Sequence, residues 1–245
     1  MTFDGSAPAT GPVAFDEPID ASSAVSAGTR AASGESPPRA RPAVYCTSKR
    51  GIDVLGALAI GLAFGPFMIF IAACLGWRGE PILFRHLRVG KDGRIFECLK
   101  FRTMVVNAEQ QLQQLLERDP LARLEWAHNQ KLRTDPRVTR LGRFLRRSSL
   151  DELPQLWNVL RGQMSLVGPR PIVAEEMHRY GRHLRSYLTV RPGVTGLWQV
   201  AGRNDTGYRR RVIMDVCYVR KMCIGLDLKI LLQTVKVVIA GRGAY

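Results

Sequence analysis

The most distinctive pattern along the chain is an unbroken apolar run over 54–76, "VLGALAIGLAFGPFMIFIAACLG", with no charged or polar side chain. A straight helix of that length rises 1.5 Å per residue and reaches about 34 Å, enough to cross a hydrocarbon core of roughly 30 Å. Helices buried in soluble cores are rarely apolar on every side over such a length, so the pattern predicts membrane insertion. Gly65-Pro66 falls at the midpoint, where proline removes a backbone hydrogen bond and kinks a helix. Basic residues flank both ends: Lys49 and Arg50 before the run, Arg78, Arg85 and Arg88 after it. The preference for cytosolic positive charge is best met if both ends stay on the cytosolic side. A helix broken at its centre that dips in and returns satisfies this; a spanning helix is also compatible with the pattern.

After this segment the pattern becomes that of a small globular domain over 79–245. "PILFRHLRV" and "RIFECLKFR" flank the turn Gly90-Lys91-Asp92-Gly93 and predict a β-hairpin. Asn107 is placed to cap a helix running to about Arg118, with Leu112, Leu115 and Leu116 on its buried side. Val138, Leu141 and Leu145 share one face of a helix over 137–147, and another helix is expected from Pro154 to Leu160. Two more are expected over 208–221 and 227–240, the last with a polar stripe of Lys229, Gln233 and Lys236. The fold class is therefore α+β, mostly helical, with a membrane helix over 45–78 ahead of a catalytic domain. No internal repeat is visible.

Composition divides the chain once more. Residues 1–44 hold 29 Gly, Pro, Ser, Thr or Ala, too little apolar surface to offset ordering, and read as a disordered tail. The tail has no long apolar run after basic residues, unlike a secretory signal. Over 45–245 there are 33 Lys and Arg against 16 Asp and Glu, a surplus of +17. That surplus implies an anionic partner: a nucleic acid, an acidic membrane surface or a phosphorylated substrate. Five cysteines without paired spacing or nearby histidine pairs read as free thiols rather than zinc ligands or disulfides.

The candidate chemistry lies in "RRSSLDELPQL", where Asp151 and Glu152 follow an arginine-rich stretch and precede Pro154. Ser149-Leu150-Asp151-Glu152 fits a capping box, a purely structural role. Pro154 is better placed at a first helical position, which pushes Leu153 toward extended geometry and leaves both carboxylates just outside the helix. Local pattern leaves both readings open. The surroundings favour function: 131–149 holds seven basic groups and one acid, a setting that lowers carboxylate pKa values. An ionised Asp can attack phosphorus, and one or two carboxylates with substrate phosphates can hold Mg²⁺. Downstream, Arg170 sits between Pro169 and Pro171, a stiff mount for a phosphate-binding guanidinium.

"KFRTM" (100–104), "DPRVTRLGRFLRRSSLDELPQLWNVLRGQMSLVGPRP" (135–171) and "RPGVTGLWQVAGR" (191–203) resemble the bacterial sugar transferase family, polyprenyl-phosphate phosphoglycosyltransferases that begin exopolysaccharide assembly. The resemblance runs from about Ser48 to the C-terminus. It implies transfer of a sugar phosphate from a UDP-sugar to undecaprenyl phosphate with release of UMP, a re-entrant membrane helix, and residence at the cytosolic face of the bacterial inner membrane. Asp151 matches the family's nucleophile and Glu152 its dyad partner, both at the Mg²⁺ site. Lys100, Arg102, Arg146 and Arg170 match basic positions around the phosphates, with Arg191 and Arg203 as further candidates. Implied partners are the UDP-sugar, undecaprenyl phosphate, anionic lipids and other polysaccharide-assembly proteins. One departure stands out: Met222-Cys223 occupies a place where the family has an aromatic-serine pair.

Two other classes fit less well. A membrane-tethered nucleic-acid binder would interleave aromatics with its basic groups, whereas only Phe144 interrupts the main basic run. A catalytically dead scaffold has no need of the Asp151-Glu152 pair. No nucleic-acid partner is expected.

Overall fold

The computed structural model describes residues 42–77, 79, 81–129, 132, 134–201 and 207–239. The tail assigned to 1–44 falls almost entirely outside the described residues, as do Arg78 and Arg203. The apolar run forms a single helix, α1 (Ala43–Gly76), which begins well ahead of the run itself. Pro66 lies inside α1, which runs on to Gly76 instead of ending at the proline. Its apolar surface is largely uncovered: Leu55, Leu58, Leu62, Ile69 and Phe70 are all exposed.

The hairpin forms as predicted, with β1 (Leu83–Val89) antiparallel to β2 (Ile95–Phe101) in the register Phe84 to Lys100, His86 to Cys98 and Arg88 to Phe96. Asp92 takes the left-handed conformation (φ 57°) that lets the short turn close. Helix α2 (Ala108–Arg118) buries Leu112, with Leu115 and Leu116 half-buried beside it. Asn107 precedes α2, but its side chain makes no cap bond to the helix backbone. A further helix, α3 (Pro120–Asn129), doubles back along α2.

The helix expected over 137–147 starts later, as α4 (Arg140–Ser148). Thr139 caps it by accepting the Gly142 amide at 2.9 Å, and Val138 is drawn into a bridge with Met104. Helix α5 (Gln155–Leu160) follows Pro154. Leu153 is helical (φ −54°, ψ −36°), not extended as the proline rule predicts. Its amide closes a turn on the Leu150 carbonyl, and its side chain packs into two apolar clusters, which together override the local steric preference.

Two three-residue strands, β3 (Ser165–Val167) and β4 (Gly193–Thr195), pair in parallel. Helices α6 (Met177–Tyr180), α7 (Leu184–Leu188) and α8 (Leu197–Ala201) are short. Helices α9 (Tyr208–Lys221) and α10 (Ile224–Ile239) match the two predicted at the C-terminus. Met222 joins the packed core beside them, so the Met222-Cys223 departure is accommodated between α9 and α10.

The main apolar core joins α1, β2, α5, β3, α9 and α10 through Ala57, Phe96, Leu156, Leu166, Val219 and Ile230. A second cluster packs Ile71, Leu75, Phe101 and Leu145, bringing the far half of α1 against β2 and α4. Leu145 is fully buried, worth about 1.5–3 kcal/mol for a side chain of its size. Polar contacts bind the near half of α1 equally firmly. Asp53 accepts the Leu166 amide and the Ser165 hydroxyl, both at 2.9 Å, and Lys49 pairs with buried Asp227 at 3.0 Å. Arg50 donates to the Val159 and Leu160 carbonyls at the end of α5.

Candidate functional site

Alternation along the hairpin turns His86 and Arg88 of β1 and Cys98 and Lys100 of β2 to one face. Arg88, Cys98, Lys100, Glu152, Arg170 and Gln199 line a shallow cleft over that face. Glu152 reaches it because α4 stops abruptly: Ser149 adopts the left-handed conformation (φ 58°), and the chain reverses into a tight turn over Leu150–Glu152 that also holds the buried Asp151. A non-glycine residue in that conformation is uncommon and is held here by its amide bond to the Arg146 carbonyl. Asp151 and Glu152 thus sit in the turn ahead of α5, outside the helix as the sequence predicts.

Lys100 Nζ donates to Glu152 Oε1 at 2.6 Å, with both side chains about one-third exposed. Asp151 is only 8% exposed. Burial pushes its pKa up from 3.8 to about 6; Glu152 adds to the rise, while Lys100 and Arg146 oppose it. This overturns the expectation that the basic surroundings lower it: removal from water outweighs the neighbouring cations. Lys100 is itself shifted upward: burial works against its charge, but the Glu152 and Asp151 carboxylates prevail. Arg146 anchors beside the pair by donating Nε–H to Thr103 Oγ1 at 2.9 Å.

Arg170 projects from the loop after β3, its guanidinium 5.3 Å from the Trp198 ring centroid; Arg211 lies 5.0 Å from the same ring. Arg88 donates to the Pro171 carbonyl at 3.1 Å and to His86 Nδ1 at 2.9 Å. Burial and the nearby Arg170 charge lower the Arg88 pKa. Burial, then Arg88 and Lys100, pull His86 down to about 4, which keeps its ring neutral as an acceptor for Arg88. Lys100 and Arg88 are paired with Glu152 at 2.6 Å and Glu176 at 3.9 Å, yet the cleft lining still holds three cations, Arg88, Lys100 and Arg170, against one carboxylate, a surplus that favours an anion.

The residues singled out in the sequence divide accordingly. Asp151, Glu152, Lys100 and Arg146 are brought together, and Arg170 faces the same cleft. Arg102 donates to the Pro81 carbonyl at 2.9 Å, and Arg191 to the Gly162 carbonyl at 2.6 Å; neither lines the cleft. Arg203 lies outside the described residues. Sequence reasoning missed Arg88, although the hairpin register alone places it on the face of Lys100. It also missed Gln155 and Gln199, for which no local signal exists.

Among the described residues no group of three or more His, Cys, Asp or Glu is assembled as a metal site. Asp151 and Glu152 are adjacent carboxylates in the turn ahead of α5, the donor type of a two-carboxylate set. Mg²⁺ accepts such a set when phosphates and water complete its shell, so the residues fit that ion.

A relative from Erwinia amylovora, named UDP-galactose-lipid carrier transferase, is 49% identical over 80% of this chain and 41% of its own length. A Salmonella typhimurium protein named undecaprenyl-phosphate galactose phosphotransferase is also 49% identical, over 80% of this chain and 41% of its own. The chain thus spans about two fifths of these relatives. It matches the exopolysaccharide production protein ExoY of Sinorhizobium fredii at 45% identity over 81% of this chain and 88% of that one. The sequence model of the bacterial sugar transferases matches residues 44–241, the long apolar helix α1 and the cleft residues together, and the chain belongs to that family.

Proposed function

We propose that this protein transfers a sugar 1-phosphate from a UDP-sugar to undecaprenyl phosphate, the first membrane step in building an exopolysaccharide. The observation that carries the reading is a buried Asp151 next to Glu152, whose ion pair with Lys100 lines a cleft that also holds Arg88 and Arg170. The names of the relatives support the donor and acceptor classes.

An oxygen of the Asp151 carboxylate attacks the sugar-bearing phosphorus of the donor. The phosphorus–oxygen bond to the inner phosphate breaks, and UMP leaves with the bridging oxygen and its electron pair. An oxygen of undecaprenyl phosphate then attacks the same phosphorus, the bond to Asp151 breaks, and the free carboxylate returns. The products are UMP and undecaprenyl-diphosphate sugar, and no water is consumed. Arg88, Arg146, Arg170 and Lys100 offset the negative charge that otherwise repels the carboxylate. Lys100 holds Glu152 next to the nucleophile. Mg²⁺, held by Asp151 and Glu152 when bound, supplies further neutralisation of the diphosphate.

The acceptor lies in a bilayer, and α1 is suited to meet it. Its best 18-residue window has a mean hydropathy of 2.4, with only 11% buried within the protein. Asp53 and Ala57 on one side of Pro66, and Ile71 and Leu75 on the other, all pack against the same domain. This supports a helix that enters and leaves on one side, the cytosolic face of the bacterial inner membrane, with anionic lipids attracting the basic domain.

The test is transfer of sugar label from UDP-sugars into solvent-extractable lipid by solubilised protein with Mg²⁺ and undecaprenyl phosphate. Label should appear with wild type and fall at least about 10³-fold with Asp151→Asn, which keeps the shape but loses the nucleophile. It should also vanish on chelation. Undiminished transfer by Asp151→Asn, with membrane association intact, rules out the nucleophile assignment.

A further inference from the structure

The cleft extends beyond the groups that the transfer chemistry uses. Beside Lys100, Glu152, Arg88 and Arg170, its lining includes Gly193, Val194 and Gln199. Arg170 lies over Trp198, the neighbour of Gln199, so a diphosphate held by Arg170 brings the rest of its nucleotide toward Gln199.

Gln199 is an unusual lining residue. Its Nε2 donates to the Val194 carbonyl at 3.0 Å, which fixes the way round of the carboxamide. Its Oε1 is buried and has no hydrogen-bond partner among the described residues. Buried acceptors are almost always satisfied, so an exception beside a cleft marks a place where a ligand donor belongs. Gly196 packs close beside it: a side chain there would come to 3.0 Å from Oε1 and would overlap the Gly168 carbonyl.

The geometry points to Gln199 as the residue that reads the base of the donor nucleotide, its Oε1 accepting the N3–H of uracil. This rests on the UDP-sugar reading above. Uracil has one N–H on its pairing edge, flanked by two carbonyls, whereas cytosine has a lone pair at N3. With its NH₂ committed to Val194, Gln199 cannot turn over to offer a donor, so cytosine meets acceptor against acceptor. Trp198, with the Arg170 and Arg211 guanidinium groups 5.3 and 5.0 Å from its ring centroid, holds Arg170 one residue away from the base contact at Gln199.

The experiment is calorimetric binding of UMP, N3-methyl-UMP and CMP to the full-length protein in detergent with Mg²⁺, for wild type and Gln199→Ala. Wild type should bind UMP at least about 10-fold more tightly than N3-methyl-UMP or CMP, the scale of one lost hydrogen bond that strands a buried acceptor. In Gln199→Ala both ratios should fall to near one, through loss of UMP affinity. Wild type that does not discriminate, or a variant that still does, overturns the assignment. If Gln199→Ala melts early, Gln199→Met keeps the length without the oxygen, and the two methylated and unmethylated ligands on wild type already test the contact. Wild type that binds no UMP overturns the nucleotide-donor reading as well, a result distinct from binding without discrimination.

Discussion

Asp215 is a carboxylate within the apolar stretch Val212–Val219 of α9, only 2% exposed, with the Tyr180 hydroxyl donating to Oδ2 at 2.7 Å. Burial raises its pKa from 3.8 to about 7, although Tyr180, the Arg170 backbone amide and the Arg170 and Arg211 charges all favour the ionised form. Below pH of about 4 the folded and unfolded chains are both protonated here. Between about 4 and 7 only the folded chain keeps the proton, so the stability this group contributes is lost as pH rises through that window. The loss is at most about 1.4 kcal/mol per pH unit. Asp215→Asn, which keeps the acceptor for Tyr180, should therefore gain stability relative to wild type between pH 4.5 and pH 7.5. Urea midpoints at the two pH values measure it; identical pH responses in both proteins would show that Asp215 ionises normally. This residue was visible in the sequence only as a stray acid among apolar neighbours. Asp151 and Glu152 were legible because their motif is local, Arg170 because two prolines hold it stiffly, and Lys100 only through the family resemblance. Gln199 and Asp215 take their roles from partners brought near by folding, which no local pattern encodes.

Elements show the same division. The hairpin was readable because alternation and a four-residue turn determine both strands and their register. The β3–β4 pair was not, since three-residue strands carry no period and exist through backbone contact alone. Gly193 must pack against Gly168 there, where any side chain would collide with the neighbouring backbone. The start of α4 was misplaced for a related reason: Thr103, over thirty residues away, accepts the Thr139 amide at 3.0 Å and sets where the cap falls. Gly142 lets that junction close, because a methyl group on it would overlap the Thr103 carbonyl. Ordinarily Gly→Ala inside a helix gains about 0.5–1 kcal/mol. Gly142→Ala should instead cost about 2 kcal/mol or more, and it should lower transfer by displacing Arg146 from Thr103. Gly225→Ala in α10, where nothing lies within 4 Å, should be neutral or slightly stabilising. Thermal melts of the two variants separate the cases, and an equal response would show that the α4 junction has slack.

At the scale of the whole molecule, the apolar run predicts membrane insertion but not topology, and the contacts of α1 bear on the difference. Residues 53 and 75 are separated by about 33 Å along a straight helix, roughly the thickness of a hydrocarbon core. Were α1 to span, one of these positions would sit at the far interface, away from the domain. Yet Asp53 is bonded to Ser165 and Leu166, while Leu75 packs in the cluster that holds Phe101 and Leu145. Pulling either end across a bilayer strands a buried carboxylate or strips an apolar cluster, each a cost of several kcal/mol. The exposed thiols of Cys46, ahead of the apolar run, and Cys217, on α9, provide the test. Variants keeping only one of these cysteines should both react with a membrane-impermeant maleimide from the cytosolic side, in inverted vesicles and not in intact spheroplasts. A third variant with Trp77→Cys as its sole thiol should behave the same way, marking the exit of the helix on the side of its entry. Cys46 labelling from the opposite side to Cys217 would mean that α1 spans, and the contacts of Asp53 and Lys49 with the domain would then have to be absent in the membrane.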